Sequence, residues 1–272
     1  MVVKGYIYTL VFGLISGLII SYCFLGMGKE TIVPMEIMIF GLSGARGNLF
    51  VNLNVISLIQ LSILMLPSMC FSLFEGKQLY QQFCIGSVYV MSRLGKRVKW
   101  YIREVIWLLT KISLFHISLS FSALFFATYK ANIFFSNYCA KILIIHLLLQ
   151  ILWNYIICNL FSIIAISKEG NSAFLIVTGL NYLLLIILNI IPKVENIFFK
   201  GFLIHFNPFT HIVLCWQNLN TSRLFMGEPP FKISLIESIL YLFLGCFFVV
   251  AVHYFVITKK EILLLDLEKE MI

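Results

Sequence analysis

Long apolar runs make up most of this chain, and short charged or polar segments separate them. A helix of about 20 apolar residues is long enough to cross a bilayer. The pattern predicts six such helices, near residues 5–25, 51–73, 106–128, 139–166, 172–191 and 233–257. We therefore expect an all-α polytopic membrane protein in which residues 1–272 form a single transmembrane domain.

Composition and charge agree with this class. With 61% hydrophobic and 12% charged residues, and a mean hydropathy of +0.98, the chain cannot present a water-soluble surface. A net charge of +8 is also typical of nucleic-acid binding, but here the basic residues lie in short loops between apolar runs. Membrane topology explains them, and we expect no nucleic-acid partner. The seven cysteines have no metal-ligand spacing and are interpreted as apolar packing residues, so no metal site is expected.

Positive charge is concentrated between the second and third predicted helices. Apolar residues recur at helical spacing on one side of this segment. On the other side, five basic residues fall within eleven positions: Arg93, Lys96, Arg97, Lys99 and Arg103. This pattern predicts an amphipathic basic helix at the cytoplasmic membrane surface, with both chain termini cytoplasmic. At a minimum these cations hold the loop inside and attract anionic lipid heads. The alternative is that the loop also docks a cytoplasmic partner.

Polar residues inside the predicted spans form one regular stripe. His146, Gln150, Asn154 and Cys158 recur every four residues, which places them on one face of the fourth helix. Asn181 and Asn189 share a face of the fifth. Polar groups are costly in lipid, so they should face protein or a wet cavity. Two interpretations stay open: a seam of helix packing, or a surface that contacts substrate or a partner subunit.

Two further patterns concern packing and the outer side. Gly13 and Gly17 form a GxxxG motif in the first helix, which allows close approach either of a second subunit or of a helix in the same bundle. Residues 27–50 are expected to form an external loop with partly interfacial pieces. Pro192 ends the fifth helix, and the stretch from Asn207 through Pro208 to Thr210 predicts a turn that enters an amphipathic or re-entrant helix.

Taken in order, these features resemble the integral-membrane permeases of ABC transporters of the ABC-2 exporter class. Such permeases have six helices, a cytoplasmic segment after helix two that opens with an acid and ends near Ser-Arg, and an outer NPxT-like turn before helix six. The matching residues here are Glu75, Ser92-Arg93, and Asn207-Pro208-Phe209-Thr210 preceded by Pro192. The resemblance covers nearly the whole chain. The departure lies at the start, where only Met1 to Lys4 precede the first helix.

The resemblance implies a permease subunit of an ATP-driven exporter in a bacterial plasma membrane, moving a peptide or another amphipathic substrate for export or self-protection. It makes residues 75–92 a coupling helix, with Glu75, Ser92, Arg93 and Arg97 contacting a cytoplasmic ABC ATPase subunit. A second permease copy, identical or different, would enclose the pathway. The chain has no GxxxxGK[ST] phosphate loop, so ATP and Mg would be bound by the ATPase and not by this chain, and we expect no enzyme activity of its own.

Two other classes of function remain as alternatives. An ATP-independent membrane binding or immunity protein would have no ATPase partner. An intramembrane enzyme would need paired carboxylates, a metal-binding His pair, or a Ser/His pair at one depth, and the sequence contains neither HExxH nor paired acids.

Overall fold

The fold is known from a computed structural model, which describes residues 2–24, 32–42, 55–84, 97–130, 132–136, 138–168, 170–217 and 233–259. These residues form nine α-helices and two short β-strands: α1 Val2–Phe24, β1 Ile32–Pro34, α2 Met35–Leu42, α3 Val55–Cys84, α4 Arg97–Lys130, β2 Asn132–Phe134, α5 Cys139–Lys168, α6 Gly170–Ile190, α7 Ile197–Phe206, α8 Pro208–Ile212 and α9 Leu235–Lys259. Two short 3-10 turns, Ile191–Lys193 and Leu214–Trp216, follow α6 and α8.

Five helices are long and apolar enough to cross a membrane, by length and composition: Gly5–Cys23, Val98–Tyr129, Cys139–Lys168, Gly170–Ile190 and Leu235–Ile257. Their exposed surfaces are mostly apolar, which suits contact with lipid. The prediction of an all-α polytopic membrane protein is therefore confirmed. The sixth predicted span, near residues 51–73, falls on α3 and stays a prediction.

Helices α3 and α4 are longer than their predicted spans. α3 continues to Cys84, past the predicted end near residue 73, and α4 begins at Arg97, well before residue 106. Both extensions bury one apolar side, which includes Leu79 and Phe83 on α3 and Tyr101 on α4. The predicted separate coupling segment is thus, in the part that the structure describes, a continuation of the two long helices.

The glycines of the GxxxG motif lie against α4 of the same chain. A Cβ built on Gly13 would lie 1.9 Å from the Ser118 hydroxyl oxygen, and one on Gly17 would lie 2.0 Å from that of Ser122. Glycine and serine let the two helices approach closely, as in small-xxx-small packing within membranes. Of the two interpretations left open, packing within the bundle is the one that these residues adopt.

Helix α5 is the centre of the bundle and contacts α2, α3, α4, α6, α8 and α9. Its residues from Trp153 to Asn159 are buried all round. A helix enclosed in this way has no lipid-facing side over that stretch, so its polar residues must find partners or cavities inside the protein.

Short elements close the end of the bundle at which α1 and α4 end, which we call the strand end. There β1 pairs with β2 in parallel, with Ile32 opposite Asn132. Helix α2 follows and is largely buried, and the side chain of Glu36 on it contacts the Ser136 hydroxyl. Residues 35–42 are therefore a buried helix and not part of a fully external loop, because this helix packs against α4 and α5.

Candidate functional site

A cavity of about 60 Å³ lies inside the bundle, where α3, α5, α6 and α8 meet the end of α2. Its polar lining comes from Ser68, Gln150, Asn154 and Asn181, three of which belong to the predicted polar residues of helices four and five. The remaining lining is apolar: Leu42, Leu64, Met65, Met69, Trp153, Ile157, Phe209, Ile212 and Val213. One water molecule needs roughly 10–15 Å³ of such space, so the cavity holds a few waters or one small polar group.

Asn154 ties three helices together next to this cavity. Its Oδ1 accepts a hydrogen bond of 2.7 Å from Ser72 on α3. Its Nδ2 lies 2.6 Å from Nε2 of His116 on α4 and 3.0 Å from the Gln150 carbonyl oxygen. The amide must donate to Nε2, which places the ring proton of this histidine on Nδ1 when the ring is neutral. Asn154 therefore acts in helix packing, as the first interpretation of the stripe expects.

Gln150 and Asn181 are arranged differently. The Gln150 side chain is half-buried and its carboxamide makes no hydrogen bond to any residue that the structure describes. Asn181 donates its Nδ2 to the Val177 carbonyl at 2.9 Å, while its Oδ1 has no partner within the described ranges. Both amides thus retain hydrogen-bonding capacity directed at the cavity. The stripe combines a packing seam at Asn154 with a polar surface at Gln150.

The other predicted polar residues lie outside the cavity. His146 is 2% exposed, and its Nδ1 has no hydrogen-bond partner in the described part of the chain. Asn189 is half-buried two turns beyond Asn181 and does not line the cavity. Helical periodicity placed His146 on the same face as Gln150 and Asn154, and Asn189 on the same face as Asn181. The cavity extends along only part of each face, so His146 and Asn189 do not line it.

The predicted outer turn closes the strand end of the cavity. Asn207 ends α7 and begins α8: its Oδ1 accepts from the Phe209 amide at 3.0 Å, and its Nδ2 donates to the Leu184 carbonyl of α6 at 2.8 Å. Pro208 occupies the first helical turn, where its missing N–H costs nothing. The Thr210 hydroxyl lies 2.6 Å from the carbonyl oxygens of Ile204 and Asn207. All five residues of α8 are buried, and Phe209 packs edge-on against Trp153 at 5.6 Å.

A second cluster holds α8 against α9. His211 Nε2 lies 2.9 Å from the His205 carbonyl oxygen, and Nδ1 lies 3.1 Å from the Ser238 hydroxyl. The ring stacks on Tyr241 at 4.2 Å. Burial lowers the pKa of His211, so the ring is held in its neutral form. Nearby, Glu237 in the first turn of α9 pairs with His205.

The Asn207 cap offers a direct test of this arrangement. Asn207→Ala removes both the helix cap and the bond to α6, and we expect it to lower the free energy of unfolding by about 1–3 kcal/mol. Asn196→Ala is the matched control, because Asn196 caps the exposed helix α7 through Phe199 N at 3.1 Å. It should cost about 1 kcal/mol or less. Thermal unfolding of the detergent-solubilised protein measures both; equal losses would show that Asn207 does no more than cap its own helix.

Glu75 lies on α3 facing α4, where it forms an ion pair within the chain. Lys111 Nζ donates to its Oε2 at 2.8 Å and to Gln78 Oε1 at 3.0 Å. The side chain of Lys111 is 14% exposed and that of Glu75 is 5% exposed. Of the other predicted coupling residues, Ser92 and Arg93 lie outside the described residues. Arg97 is the first residue of α4. The periodic pattern gave no sign that Glu75 has a partner in the next helix, 36 positions away.

Comparison with protein-family models, with curated proteins and with solved structures finds no match in any of the three. Within the described residues, no group of three or more His, Cys, Asp or Glu side chains is placed to hold a metal ion.

One arrangement that sequence reasoning missed joins α5 to α9. The Ser162 hydroxyl lies 3.0 Å from His253 Nε2, and His253 Nδ1 lies 3.1 Å from Asn159 Oδ1. This order of groups resembles a nucleophile, a base and an orienting residue. All three side chains have no exposed surface, and the rings of Phe83 and Tyr101 stand edge-on to the imidazole. A substrate cannot reach Ser162 in this structure, so the group acts as a hydrogen-bonded clamp between the two helices.

Proposed function

We propose that this protein is the membrane-spanning permease subunit of an ATP-driven exporter of the ABC-2 class, which moves a peptide or another amphipathic substrate. The observation that carries the proposal is a cavity within the bundle whose apolar walls include the side-chain amides of Gln150, Asn154 and Asn181. Amides that have no partner among the described residues are costly inside a membrane protein and add nothing to helix packing, which supports contact with a polar group that passes or binds there.

The two ends of the cavity support a gated pathway. At the strand end, α8 is a separate five-residue helix that lines the cavity, and in this proposal its displacement opens the outer side. Toward the opposite end, the Glu75–Lys111 pair lies roughly two turns of α3 beyond Ser68 and joins α3 to α4. Opening either closure would connect the cavity to one side of the membrane.

In this proposal the opposite end, with α3 and α4 extending from it, is cytoplasmic, and so are both termini in a bacterial plasma membrane. Lys99 and Arg103 are exposed there on the first turns of α4. An ABC ATPase subunit, which would hold ATP and Mg, docks on this end, and a second permease copy completes the transporter. Charged residues on an exposed helix face are suited to guide such a partner and to contact anionic lipid.

Co-purification tests the proposal. We expect the tagged full-length protein, extracted in a mild detergent, to retain a chain that carries a nucleotide-binding loop and hydrolyses ATP, identified by mass spectrometry and a phosphate-release assay. Neutralising Lys99 and Arg103 with Gln should reduce its recovery severalfold. Neutralising Lys141 and Lys193, which are exposed near the strand end, should not.

The same experiment separates the alternatives. Recovery of the chain alone from cells that express the neighbouring genes would contradict an ATP-driven permease and favour a binding or immunity protein. If both pairs of substitutions reduced recovery of the ATPase equally, the ATPase contact would lie elsewhere or would depend only on the net charge of the protein.

A further inference from the structure

The lining of the central cavity differs from an ordinary packing defect in its chemistry. Its polar groups are the carboxamides of Gln150, Asn154 and Asn181 and the hydroxyl of Ser68. No acidic or basic side chain lies among the lining residues in the described part of the chain. The other walls are apolar and include Trp153 and Phe209. Such a site can donate and accept hydrogen bonds, but it has no countercharge for an ion.

Not all of these groups are free to bind. Asn154 already uses its oxygen and its amide hydrogens within the protein, and the Ser68 hydroxyl donates to the Met65 carbonyl at 3.0 Å. Among the described residues, no hydrogen-bond partner is present for the carboxamide of Gln150 or for the Oδ1 of Asn181. A group that both donates and accepts hydrogen bonds would satisfy them together, and a carboxamide does so with its N–H and C=O.

The cost of burying a charge adds to the preference of this cavity for a neutral group. Transferring an ionised group from water to an apolar enclosure is far more costly than transferring a neutral amide that finds partners there. In this 60 Å³ space the described lining residues supply no countercharge, so an anion or a cation would find no charged partner among them. A neutral amide would replace the few waters that the space holds and keep their hydrogen bonds.

From this lining we propose that the Gln150 cavity binds one neutral hydrogen-bonding group of the carboxamide class and rejects charged groups of the same size. This rests on the proposed function, because it makes the uncharged amides of a peptide, and not a charged lipid headgroup, the part of the substrate that the cavity contacts. Gln150 is the residue that recognises this group, with Asn181 as the second contact.

Acetamide and acetate are suitable probes, because they have the same number of heavy atoms and differ in charge. The reporter is Ser68→Cys in a Cys70→Ser background of the full-length protein, labelled by methyl methanethiosulfonate and read by mass spectrometry of its peptide. We expect acetamide to slow labelling at least threefold in a saturable manner, and acetate at equal concentration to have no effect.

Gln150→Leu in the reporter protein should abolish the protection by acetamide. Asn189→Leu is the matched control, since Asn189 is half-buried on the same helix as Asn181 but does not line the cavity; it should leave the protection unchanged. Both solutes meet the same access route in every variant, so a difference between the two substitutions reports hydrogen bonding and not entry. If Ser68→Cys does not fold, Met69→Cys provides a second reporter in the lining.

Three outcomes would overturn the inference: no protection by acetamide, equal protection by acetate, or protection that survives Gln150→Leu. The measurement uses the chain without an ATPase. A failed co-purification would therefore contradict the proposed function and leave the amide site intact. A failed protection experiment would contradict the amide site and leave the ATPase partnership intact.

Discussion

Gly17→Ala should lower the thermal stability of this protein sharply, although it adds only one methyl group. The new Cβ would lie 2.2 Å from the Leu119 carbonyl oxygen and 2.0 Å from the Ser122 hydroxyl. The hydroxyl can rotate away, but the carbonyl belongs to the α4 backbone, so α1 would have to shift by roughly 1 Å to reach an ordinary contact. Overpacking of this kind costs about 1–3 kcal/mol, and more where backbone must move. Thermal unfolding of the solubilised protein measures the loss.

Gly179→Ala is the matched control for this substitution. Gly179 lies within α6, and a Cβ built there meets nothing within 4 Å. Alanine is a better helix former than glycine by about 1 kcal/mol, so this change should leave stability unchanged or raise it. Opposite signs for the two glycines would establish that α1 and α4 are in close contact; similar small effects would mean that the helices are not packed as described.

Glu75→Gln should be the most destabilising single change among the charged residues. It would leave the Lys111 ammonium, whose side chain is only 14% exposed, without its countercharge. Breaking a buried pair by removing one partner typically costs about 3–5 kcal/mol. Glu104→Gln is the control, because its partner Arg103 is 62% exposed and such surface pairs contribute about 0–1 kcal/mol.

The double variant Glu75→Gln/Lys111→Met separates structure from coupling. Replacing both charges by uncharged side chains of similar volume is often neutral, so stability should return close to that of the native protein. If the chain is the proposed permease subunit, substrate-stimulated ATP hydrolysis of its reconstituted complex with the ATPase is then measured. Loss of stimulation in this stable variant supports a role of Glu75 in coupling, whereas full stimulation would restrict the pair to holding α3 against α4.

Local patterns in the sequence predict the five candidate spans that the structure contains among its described residues, because hydropathy over about 20 residues depends on no distant contact. The helix ends were less predictable. Residues 74–84 are polar enough to indicate a loop, yet Leu79 and Phe83 on one side keep them in α3 by packing. Periodicity likewise placed Gln150 and Asn154 on one face. It could not indicate that Asn154 forms hydrogen bonds with Ser72 and His116 while Gln150 does not.

Contacts between distant helices account for what the sequence could not predict. Ser162 and His253 are 91 positions apart, and nothing in the spacing of either residue identifies the other. The same holds for Glu75 and Lys111, which are 36 positions apart. Individual polar residues in apolar helices can be located from sequence, whereas their partners require the arrangement of the helices.

The packing of α1 against α4 has a consequence for the synthesis and membrane insertion of the chain. Gly17 is about 105 residues ahead of Ser122, so at ribosomal rates α1 waits roughly 5–20 s before its partner surface exists. During that interval the glycine face of α1 has no neighbour from its own chain, and β1 has no strand to pair with. Until α4 is inserted, the contacts available to α1 among the described residues are those with α3, such as Phe12 against Phe71. A nascent chain released before residue 122 would carry an open groove suited to other helices with small residues.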